Sequence, residues 1–211
     1  MYIPHAFRND DLETLHGFMR RYSFATLVTG GCEPFATHLP LLLDASRGPH
    51  GTLIGHFARP NPHWQCDHQR NGSLAIFHGP HAYISPSWYP SPAPAVPTWN
   101  YATVHAAGRL LVIEDGSYVF DLLEQMVRVY EAHRSRPWTN PLPDDVNEKL
   151  IASVVAFEMP IDRLDGKFKL SQNRKREDQD GAIEGLKAAG DPESVALSRF
   201  AREKLGVPTT G

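Results

Sequence analysis

Four polar side chains that could bind an anion lie on or directly after two predicted strands. His38 lies in the middle of one predicted strand, and His56, Arg59 and Asn61 belong to the next one or follow it. If the two strands are neighbours, these side chains converge at one end of a sheet. The guanidinium, the amide and main-chain N–H groups near Pro62, where a short helix can start, would then form a phosphate-binding cradle. The alternative is an exposed arginine beside an ordinary turn.

A second candidate site is the stretch 73–108, which is rich in aromatic, proline and hydroxyl side chains. Its apolar run Leu74–Phe77 predicts a buried strand, and the segments Gly79–Tyr89 and Tyr89–Pro97 are typical of loops. Aromatic rings beside prolines, with the amide of Asn100 and a few hydroxyls, have the composition of a small-molecule pocket. The alternative is a well-packed loop that binds nothing.

Other reactive side chains have weaker patterns. His78 and His81 have His-x-x-His spacing, but the Gly-Pro pair between them prevents a shared helical face, and no metal site is predicted. Cys66 has histidines close in sequence, yet no nucleophile motif surrounds it, and a buried small side chain is the commoner role. Glycine-rich dinucleotide and phosphate-loop motifs are absent from the sequence.

The composition is that of a globular protein with no strong electrostatic preference. The chain has 211 residues, of which 41% are hydrophobic, and a net charge of −3, which favours neither nucleic acid nor an anionic membrane. Cys32 and Cys66 do not form a disulfide framework, and no signal-peptide pattern is evident, so we expect a cytoplasmic protein. The apolar runs are too short to span a bilayer.

The basic side chains leave the question of nucleic-acid binding open in one place. The run Lys167–Arg176 contains five Lys and Arg residues, and it predicts either a solvated face or a contact to phosphate. No helix-turn-helix pattern stands out, and the C-terminal helix has a mixed Arg/Glu surface. Direct DNA binding is therefore doubtful.

The hydrophobic pattern predicts strands joined by short turns rather than strands alternating with helices. The predicted strands are Phe24–Thr29, Pro34–Leu43, Thr52–Ala58, Leu74–Phe77, Ala102–Glu114, Val154–Pro160 and Gly166–Leu170. Helices are predicted after Asn9 or Asp10, after Asp115 to about His133, over Val146–Ser153, and after Asp191 to about Leu205. Pro40 predicts an edge position or a bulge for its strand. This order predicts a mainly β fold, an antiparallel barrel or sheet with peripheral helices.

Several of these motifs together strongly resemble the PaiB-type family, the FMN-binding negative transcriptional regulators. The motifs are Phe24–Thr29, Ala36–Leu43, Gly55–Pro62, Gly79–Tyr89, Val96–Tyr101 and Leu170–Asn173. The resemblance covers Met1 to about Leu186. It implies an FMN-binding split barrel, a six-stranded antiparallel Greek-key barrel similar to that of pyridoxamine-phosphate oxidase, in a homodimer with two FMN sites at the interface. It also implies a barrel domain over 1–186 and a C-terminal helical extension over 187–211.

The resemblance further implies which residues contact FMN. One strand would contribute Thr37, His38, Leu39 and Pro40, and the next would contribute His56, Phe57, Ala58, Arg59, Asn61 and Pro62. The residues expected to close the site, from the same chain or its partner, are Trp99, Asn100, Lys169, Gln172 and Asn173. Thr37 and His38 stand where many oxidases of this fold have a basic residue, so Arg59 or Lys169 would compensate the phosphate charge.

Three functions remain open from the sequence. The resemblance implies a PaiB-type regulator that acts by an indirect or flavin-linked route. A flavin-dependent oxidoreductase acting on a small molecule is the second, with His38, His56, Tyr83 and Trp99 around the substrate. The third is a module that binds or stores flavin or haem without turnover.

Overall fold

The computed structural model describes residues 1–31, 33–91 and 94–207. Cys32 and part of the proline-rich stretch Tyr89–Pro97 lie outside the described residues. The strands are β1 Arg8–Asn9, β2 Phe24–Thr29, β3 Phe35–Pro40, β4 Leu42–Asp44, β5 Thr52–Ala58, β6 Ser73–Ile84, β7 Thr98–Gly108, β8 Leu111–Ile113 and β9 Val154–Lys169. The α-helices are α1 Leu12–Arg21, α2 His68–Asn71, α3 Gly116–Glu131, α4 Asp144–Ala152, α5 Arg176–Ala189 and α6 Pro192–Leu205. Short 3₁₀ turns cover His5–Phe7, Pro62–Gln65 and Pro86–Trp88.

The described strands form one sheet in the order β3-β2-β6-β7-β9-β5-β4, and β1 and β8 also pair with β9. The pairs β2–β3, β2–β6, β4–β5 and β5–β9 are antiparallel. β3 lies at one end of this order and β5 near the other, yet the two strands are in contact. The sheet therefore curls within unit 2, and the antiparallel pairing confirms the predicted mainly β fold.

The chain divides into two compact units. Unit 1 comprises Met1–Asp11, His78–Val104 and Asp165–Gly211, and unit 2 comprises Leu12–Phe77 and His105–Leu164. The boundaries fall inside β6, β7 and β9, so each of these long strands runs through both units. The predicted boundary between residues 186 and 187 falls inside α5, and a separate C-terminal extension stays a prediction.

In unit 2, α3 covers one side of the sheet. The Asp115 carboxylate caps this helix by accepting a hydrogen bond from the Tyr118 N–H at 2.8 Å. This N–H lies in the first turn and has no acceptor within the helix. The apolar face of α3 packs on β4, β5 and β9 in a cluster of Leu42, Ile54, Val119, Leu122, Met126 and Ala156. Burial of each large side chain in this cluster contributes about 2 kcal/mol.

In unit 1, the turn Pro86–Trp88 docks on α5 at two glycines spaced one helical turn apart. A Cβ on Gly185 would lie 2.2 Å from Cδ2 of Trp88, and a Cβ on Gly181 would lie 2.1 Å from the Trp88 main-chain oxygen. Both glycines are therefore required by close approach rather than by backbone conformation. The same unit contains the packed pair α5 and α6, and Phe168 of β9 meets Phe200 of α6 edge to face, with ring centroids 5.3 Å apart.

Several predicted elements are confirmed. β2 and β5 have the predicted bounds, the chain begins a 3₁₀ turn at Pro62, and Asp191 caps α6 through the Ser194 N–H at 3.0 Å. β3 is an edge strand in the described sheet, one of the two outcomes predicted from Pro40, and it ends at Pro40 rather than at Leu43 as predicted.

The prediction that β6 ends at Phe77 is wrong. The strand continues through Gly79 and Pro80 to Ile84. Burial alternates along the whole strand, but its parity shifts between Phe77 and Pro80, as it does at a β-bulge. The shift breaks the period-2 pattern, which is why this part of the sequence resembles a loop.

Three further predictions need correction. The strand predicted over Ala102–Glu114 is two strands, since β7 starts at Thr98 and ends at Gly108, and β8 follows. The strands predicted at Val154–Pro160 and Gly166–Leu170 are parts of one strand, β9. Pro160 does not end it because Pro160 pairs with Thr52, the first residue of β5, where a missing N–H disrupts the ladder least. Helix α5 was not predicted as an element of its own.

None of the described helices combines the length and the apolar character that crossing a membrane would require.

Candidate functional site

β3 meets the segment after β5 in one side-chain contact, while the predicted grouping of His38 with His56, Arg59 and Asn61 stays a prediction. The Asn61 side-chain amide donates a hydrogen bond to Thr37 Oγ1 at 3.1 Å. The carbonyl oxygen of the same side chain accepts the His63 N–H at 3.0 Å and so caps the 3₁₀ turn. Both polar ends of Asn61 are therefore engaged within unit 2. Its predicted contact to FMN stays a prediction.

Below this contact lies a chain of hydrogen bonds through a buried histidine. His63 is 0% exposed; its Nδ1 lies 2.8 Å from Thr37 Oγ1, and its Nε2 lies 2.8 Å from Thr29 Oγ1. Thr29 Oγ1 also lies 2.7 Å from Ser73 Oγ and 3.4 Å from His68 Nδ1. These hydrogen bonds thus link Asn61 and Thr37 to the interior of unit 2.

Burial lowers the pKa of His63 to about 4, with a smaller contribution from the neighbouring His68. Burial also lowers the pKa of His68, whose buried Nε2 has no hydrogen-bond partner among the described residues. Both rings are therefore neutral near pH 7. The sequence analysis did not predict these hydrogen bonds through His63. The only local signal for them is the helix start at Asn61-Pro62.

Arg59, the predicted phosphate ligand, is anchored within unit 2. Its Nε donates to Ala152 O at 2.7 Å, its Nη2 to Val154 O at 3.0 Å and its Nη1 to Glu114 Oε2 at 3.1 Å. Three of its five N–H donors are thus used, and Glu114 balances its charge. The guanidinium therefore has a fixed position at the end of β5, and its role toward phosphate stays a prediction.

An apolar cavity of about 360 Å³ lies in unit 2 and is lined by two of the predicted residues. Its walls are Pro40, His56, Leu123, Met126, Val127, Tyr130, Glu131 and Trp138. Burial lowers the pKa of His56, so its ring is neutral near pH 7, and its buried Nδ1 has no partner among the described residues. Tyr130 and Trp138 are exposed by 41% and 46% and leave the cavity open to solvent on one side. Mostly apolar walls, with the His56 ring and the Glu131 carboxylate as polar groups, suit a flat aromatic ligand.

The other FMN contacts predicted on or after β3 and β5 differ in their exposure to solvent. Leu39 and Phe57 are buried core residues, at 5% and 1% exposure. Ala58 and Pro62 are exposed. His38 is also exposed, and its Nδ1 lies 3.0 Å from Thr26 Oγ1 on the neighbouring strand. Alternation along β3 and β5 therefore directs neighbouring predicted residues to opposite faces.

The five other predicted residues all belong to unit 1, and Lys169 contacts Trp99 there. Lys169 Nζ donates to Trp99 O at 2.6 Å and to Thr98 Oγ1, and burial lowers the pKa of Lys169. The Asn100 side-chain amide donates to Ser171 Oγ at 2.9 Å, while its buried Oδ1 has no partner among the described residues.

Gln172 and Asn173 follow in a tight turn. The Gln172 side chain closes this turn by accepting the Leu170 N–H at 2.6 Å and donating to Phe168 O. Ser171 holds a positive φ of 69°, an uncommon conformation for a side-chain-bearing residue. Asn173 is exposed. Gln172 thus has a structural role, and the contact of either residue with FMN stays a prediction.

Residues 1–163 match the family model described as "Putative FMN-binding domain". The chain is 36% identical over 210 residues to the protease synthase and sporulation protein PAI 2 of Bacillus subtilis, covering 97% of this chain and 98% of that protein. It is 28% identical to an uncharacterised protein of Emericella nidulans, covering 97% of each chain.

Two solved structures share the fold at low sequence identity. The flavocytochrome Anf3 from Azotobacter vinelandii has a TM-score of 0.62 at 14% identity, covering 82% of this chain and 75% of that one. The FAD and heme binding protein from Mycobacterium smegmatis has a TM-score of 0.56 at 14% identity, covering 87% and 80%. The match to the family model and the near full-length likeness to PAI 2 confirm the resemblance seen in the motifs. The chain therefore belongs to the PaiB-type family of FMN-binding split-barrel proteins.

Proposed function

We propose that the protein is a cytoplasmic, homodimeric FMN-binding regulator that acts on transcription without binding DNA itself. The observation that supports the site is the apolar cavity of unit 2, where Pro40 and His56 share a wall with α3. Its apolar side chains suit the faces of the flavin ring, and the neutral His56 suits a polar ring edge. Bound FMN would supply the redox-active ring, while this chain supplies orientation and hydrogen bonds.

Arg59 is the side chain proposed to hold the FMN phosphate. Its Nη1 now faces Glu114, whose side chain is 58% exposed. A phosphate would compete with this carboxylate for the guanidinium, since both accept the same N–H groups. The two groups together therefore set the affinity for the phosphate.

Titration of FMN fluorescence with the protein tests this site, with riboflavin as the ligand that lacks the phosphate. We expect wild-type protein to bind FMN more tightly than riboflavin. Arg59→Gln should lower the FMN affinity to the riboflavin level, and Glu114→Gln should raise it by about fivefold, which is about 1 kcal/mol. His56→Leu should weaken the binding of both ligands.

Arg128→Gln, an exposed change on α3, is the control and should change neither affinity. No FMN binding, or an Arg59 variant with unchanged preference for FMN, would contradict the proposal.

Two exposed aromatic side chains beside the free edge of β3 in unit 2 support the homodimer. Phe24 of β2 is 66% exposed and pairs with Pro40 of the edge strand β3, and Phe35 at the start of β3 is 37% exposed. A second copy would cover these side chains and the free edge of β3. We expect sedimentation to give a dimer that Phe24→Glu weakens at least tenfold. Val96→Glu, at a residue of unit 1 that is 72% exposed, should leave the dimer intact. A wild-type monomer would overturn this part of the proposal.

The charges of α5 and α6 support regulation without direct DNA contact. Arg176 pairs with Asp180 at 3.0 Å, and Arg202 pairs with Glu184 at 2.5 Å. Carboxylates on the same helices thus offset these cations, and the net charge of the chain is −3. A mobility-shift assay at low salt should show no complex with promoter DNA. A complex that weakens steeply with added salt would show direct binding.

A second candidate function, a flavin-dependent oxidoreductase, is favoured by the neutral His56 in the same cavity. A neutral imidazole there can donate or accept a hydrogen bond with a small substrate. Oxidation of NAD(P)H in the presence of FMN and a panel of small acceptors is the measurement. Turnover that His56→Leu abolishes would favour this function, whereas no turnover with any acceptor would count against it.

A further inference from the structure

Unit 1 contains an aromatic cavity of about 380 Å³ that the flavin proposal does not use. It is lined by His81, Ala82, Tyr83, Trp88, Trp99, Ala189, Asp191, Glu193 and Ser194. Trp99 is 54% exposed and Tyr83 is 45% exposed, and Trp88 is half-buried. Three large rings thus face one small space, two of them with much of their surface left uncovered. Clustered exposed aromatic surface of this kind indicates a binding site, whereas apolar side chains exposed singly do not.

The charged side chains around this cavity are acidic. Hydrogen bonds from Ser194 hold the pKa of Asp191 below its usual value, so this side chain is a carboxylate at neutral pH. Glu193 is 62% exposed, with Oε2 lying 4.0 Å from His81 Nδ1. The described residues that line the cavity include neither Lys nor Arg. A cation entering the cavity therefore meets two carboxylates and no fixed positive side chain.

Two helix ends meet at the cavity, and their dipoles oppose each other. Ala189 is the last residue of α5, and α6 begins at Pro192. The carboxyl end of one helix carries a partial negative charge, and the amino end of the other carries a similar positive one. Their sum is close to zero, so the two carboxylates set the sign of the local potential.

The Trp88 wall and the main chain of Trp99 are held in place before any ligand arrives. Trp88 is fixed by its close approach to Gly181 and Gly185 on α5. The main-chain oxygen of Trp99 is fixed by Lys169 Nζ at 2.6 Å. A preformed wall requires little ordering when a ligand binds, and this preserves affinity.

We infer that this cavity is a binding site for a small organic ammonium ion, held against the faces of Tyr83, Trp88 and Trp99 with Glu193 beside it. Ring faces carry negative potential and attract alkylammonium groups, most strongly when water is partly excluded. The carboxylates add a Coulombic attraction that a neutral ligand of the same shape would not receive. This ligand is distinct from FMN, and of the residues that line the cavity only Trp99 is also a predicted FMN contact.

Choline and its uncharged isostere 3,3-dimethylbutan-1-ol are the probes for this site. Binding to the full-length protein is measured by calorimetry and by tryptophan fluorescence at low ionic strength. We expect choline to bind about tenfold more tightly than the isostere, because only choline gains the cation–π and carboxylate interactions. Glu193→Gln should lower the choline affinity toward that of the isostere. Tyr83→Leu should weaken choline binding while leaving the fold intact, since the Tyr83 ring is largely exposed.

Two controls separate this site from the flavin site and from general charge effects. Glu177→Gln makes the same change at an exposed position of α5 outside the cavity and should leave choline affinity unchanged. FMN titration of the Glu193 variant should match the wild type, since Glu193 is neither a predicted flavin contact nor a predicted substrate contact. The inference is overturned if choline does not bind, if both probes bind equally, or if Glu193→Gln binds choline as tightly as the wild type.

Discussion

Unit 1 and unit 2 each fix a large ring near a candidate site, but by different physical means. In unit 1, Trp88 packs against two glycines of α5, so the contact depends on shape and excludes any added atom. In unit 2, the buried His63 uses both ring nitrogens for hydrogen bonds to Thr29 and Thr37. The contact in unit 1 is therefore sensitive to added volume, and the one in unit 2 is sensitive to a lost polar partner or an added proton.

The largest expected effect is that of Gly181→Ala in unit 1. The new Cβ would lie 2.1 Å from the Trp88 main-chain oxygen, which cannot move like the end of a flexible side chain. The clash should lower the free energy of unfolding by about 3 kcal/mol, more than the roughly 1 kcal/mol by which alanine favours the helix. Urea denaturation followed by circular dichroism measures the change.

Gly17→Ala on α1 is the matched control for this substitution. Gly17 has no heavy atom within 4 Å of the position a Cβ would take. Only the helix propensity then acts, and the variant should be more stable by about 0.5–1 kcal/mol. Opposite signs at the two glycines support the close-packed docking of Trp88. A stabilised Gly181 variant would show that this contact does not limit the fold.

The next effect is that of His63→Leu in unit 2. Leucine fills a similar volume but leaves the hydroxyls of Thr29 and Thr37 with one partner fewer each. We expect a loss of about 2 kcal/mol in the free energy of unfolding at pH 7. His133→Leu, at an exposed position after α3, should change stability little. A His63→Leu variant with an unchanged free energy of unfolding would mean that the buried hydrogen bonds of His63 do not stabilise the fold.

Acidification should destabilise the protein through the same histidine. Burial lowers the pKa of His63 from an ordinary 6.5 to about 4, so the unfolded chain binds more protons between these two pH values. Stability is therefore present above pH 6.5 and is lost as the pH falls toward 4. His63 alone accounts for about 2 kcal/mol between pH 7 and pH 5.

The His63→Leu variant isolates this contribution from that of the carboxylates and of the other buried histidines. Its stability should fall less than that of the wild type over the same interval, so the difference between the two proteins narrows as the pH drops. Urea denaturation at several pH values between 7 and 5 gives this difference. A constant difference would show that the His63 ring does not titrate as its burial requires.

Strands marked by a regular local pattern were predicted correctly, and strands whose pattern is interrupted were not. β2 and β5 were predicted to their bounds, because regular hydrophobic spacing and turn residues mark them locally. β6 was cut short because a parity shift near Gly79 interrupts its alternation. β9 was split because Pro160 resembles a strand end, and only its pairing partner shows why it is tolerated.

The candidate sites were predicted only where a local motif marks the residue. Pro40 and His56, two residues that the family resemblance implies as FMN contacts, line one cavity, and their contact with FMN stays a prediction. His63 lies in a 3₁₀ turn and gave no signal of its own, because its hydrogen bonds depend on Thr29 of β2 and Thr37 of β3. The aromatic segment was singled out by composition, but Gly181 and Gly185, which hold Trp88, lie about a hundred residues further along the chain. Partners at such a distance are set by tertiary packing, which no local pattern contains.

The smallest expected effects are those of the two helix caps, one in each unit. Asp115 caps α3 through the Tyr118 N–H at 2.8 Å, and Asp191 caps α6 through the Ser194 N–H at 3.0 Å. Both were visible in the sequence, because capping is a local interaction. Asp115→Ala and Asp191→Ala should each lower the midpoint of urea unfolding slightly and by similar amounts, less than Gly181→Ala or His63→Leu. Asn at either position keeps the side-chain acceptor and should restore most of the loss. If one cap proved as costly as the glycine or histidine change, its helix would depend on its first turn rather than on the packing of its apolar face.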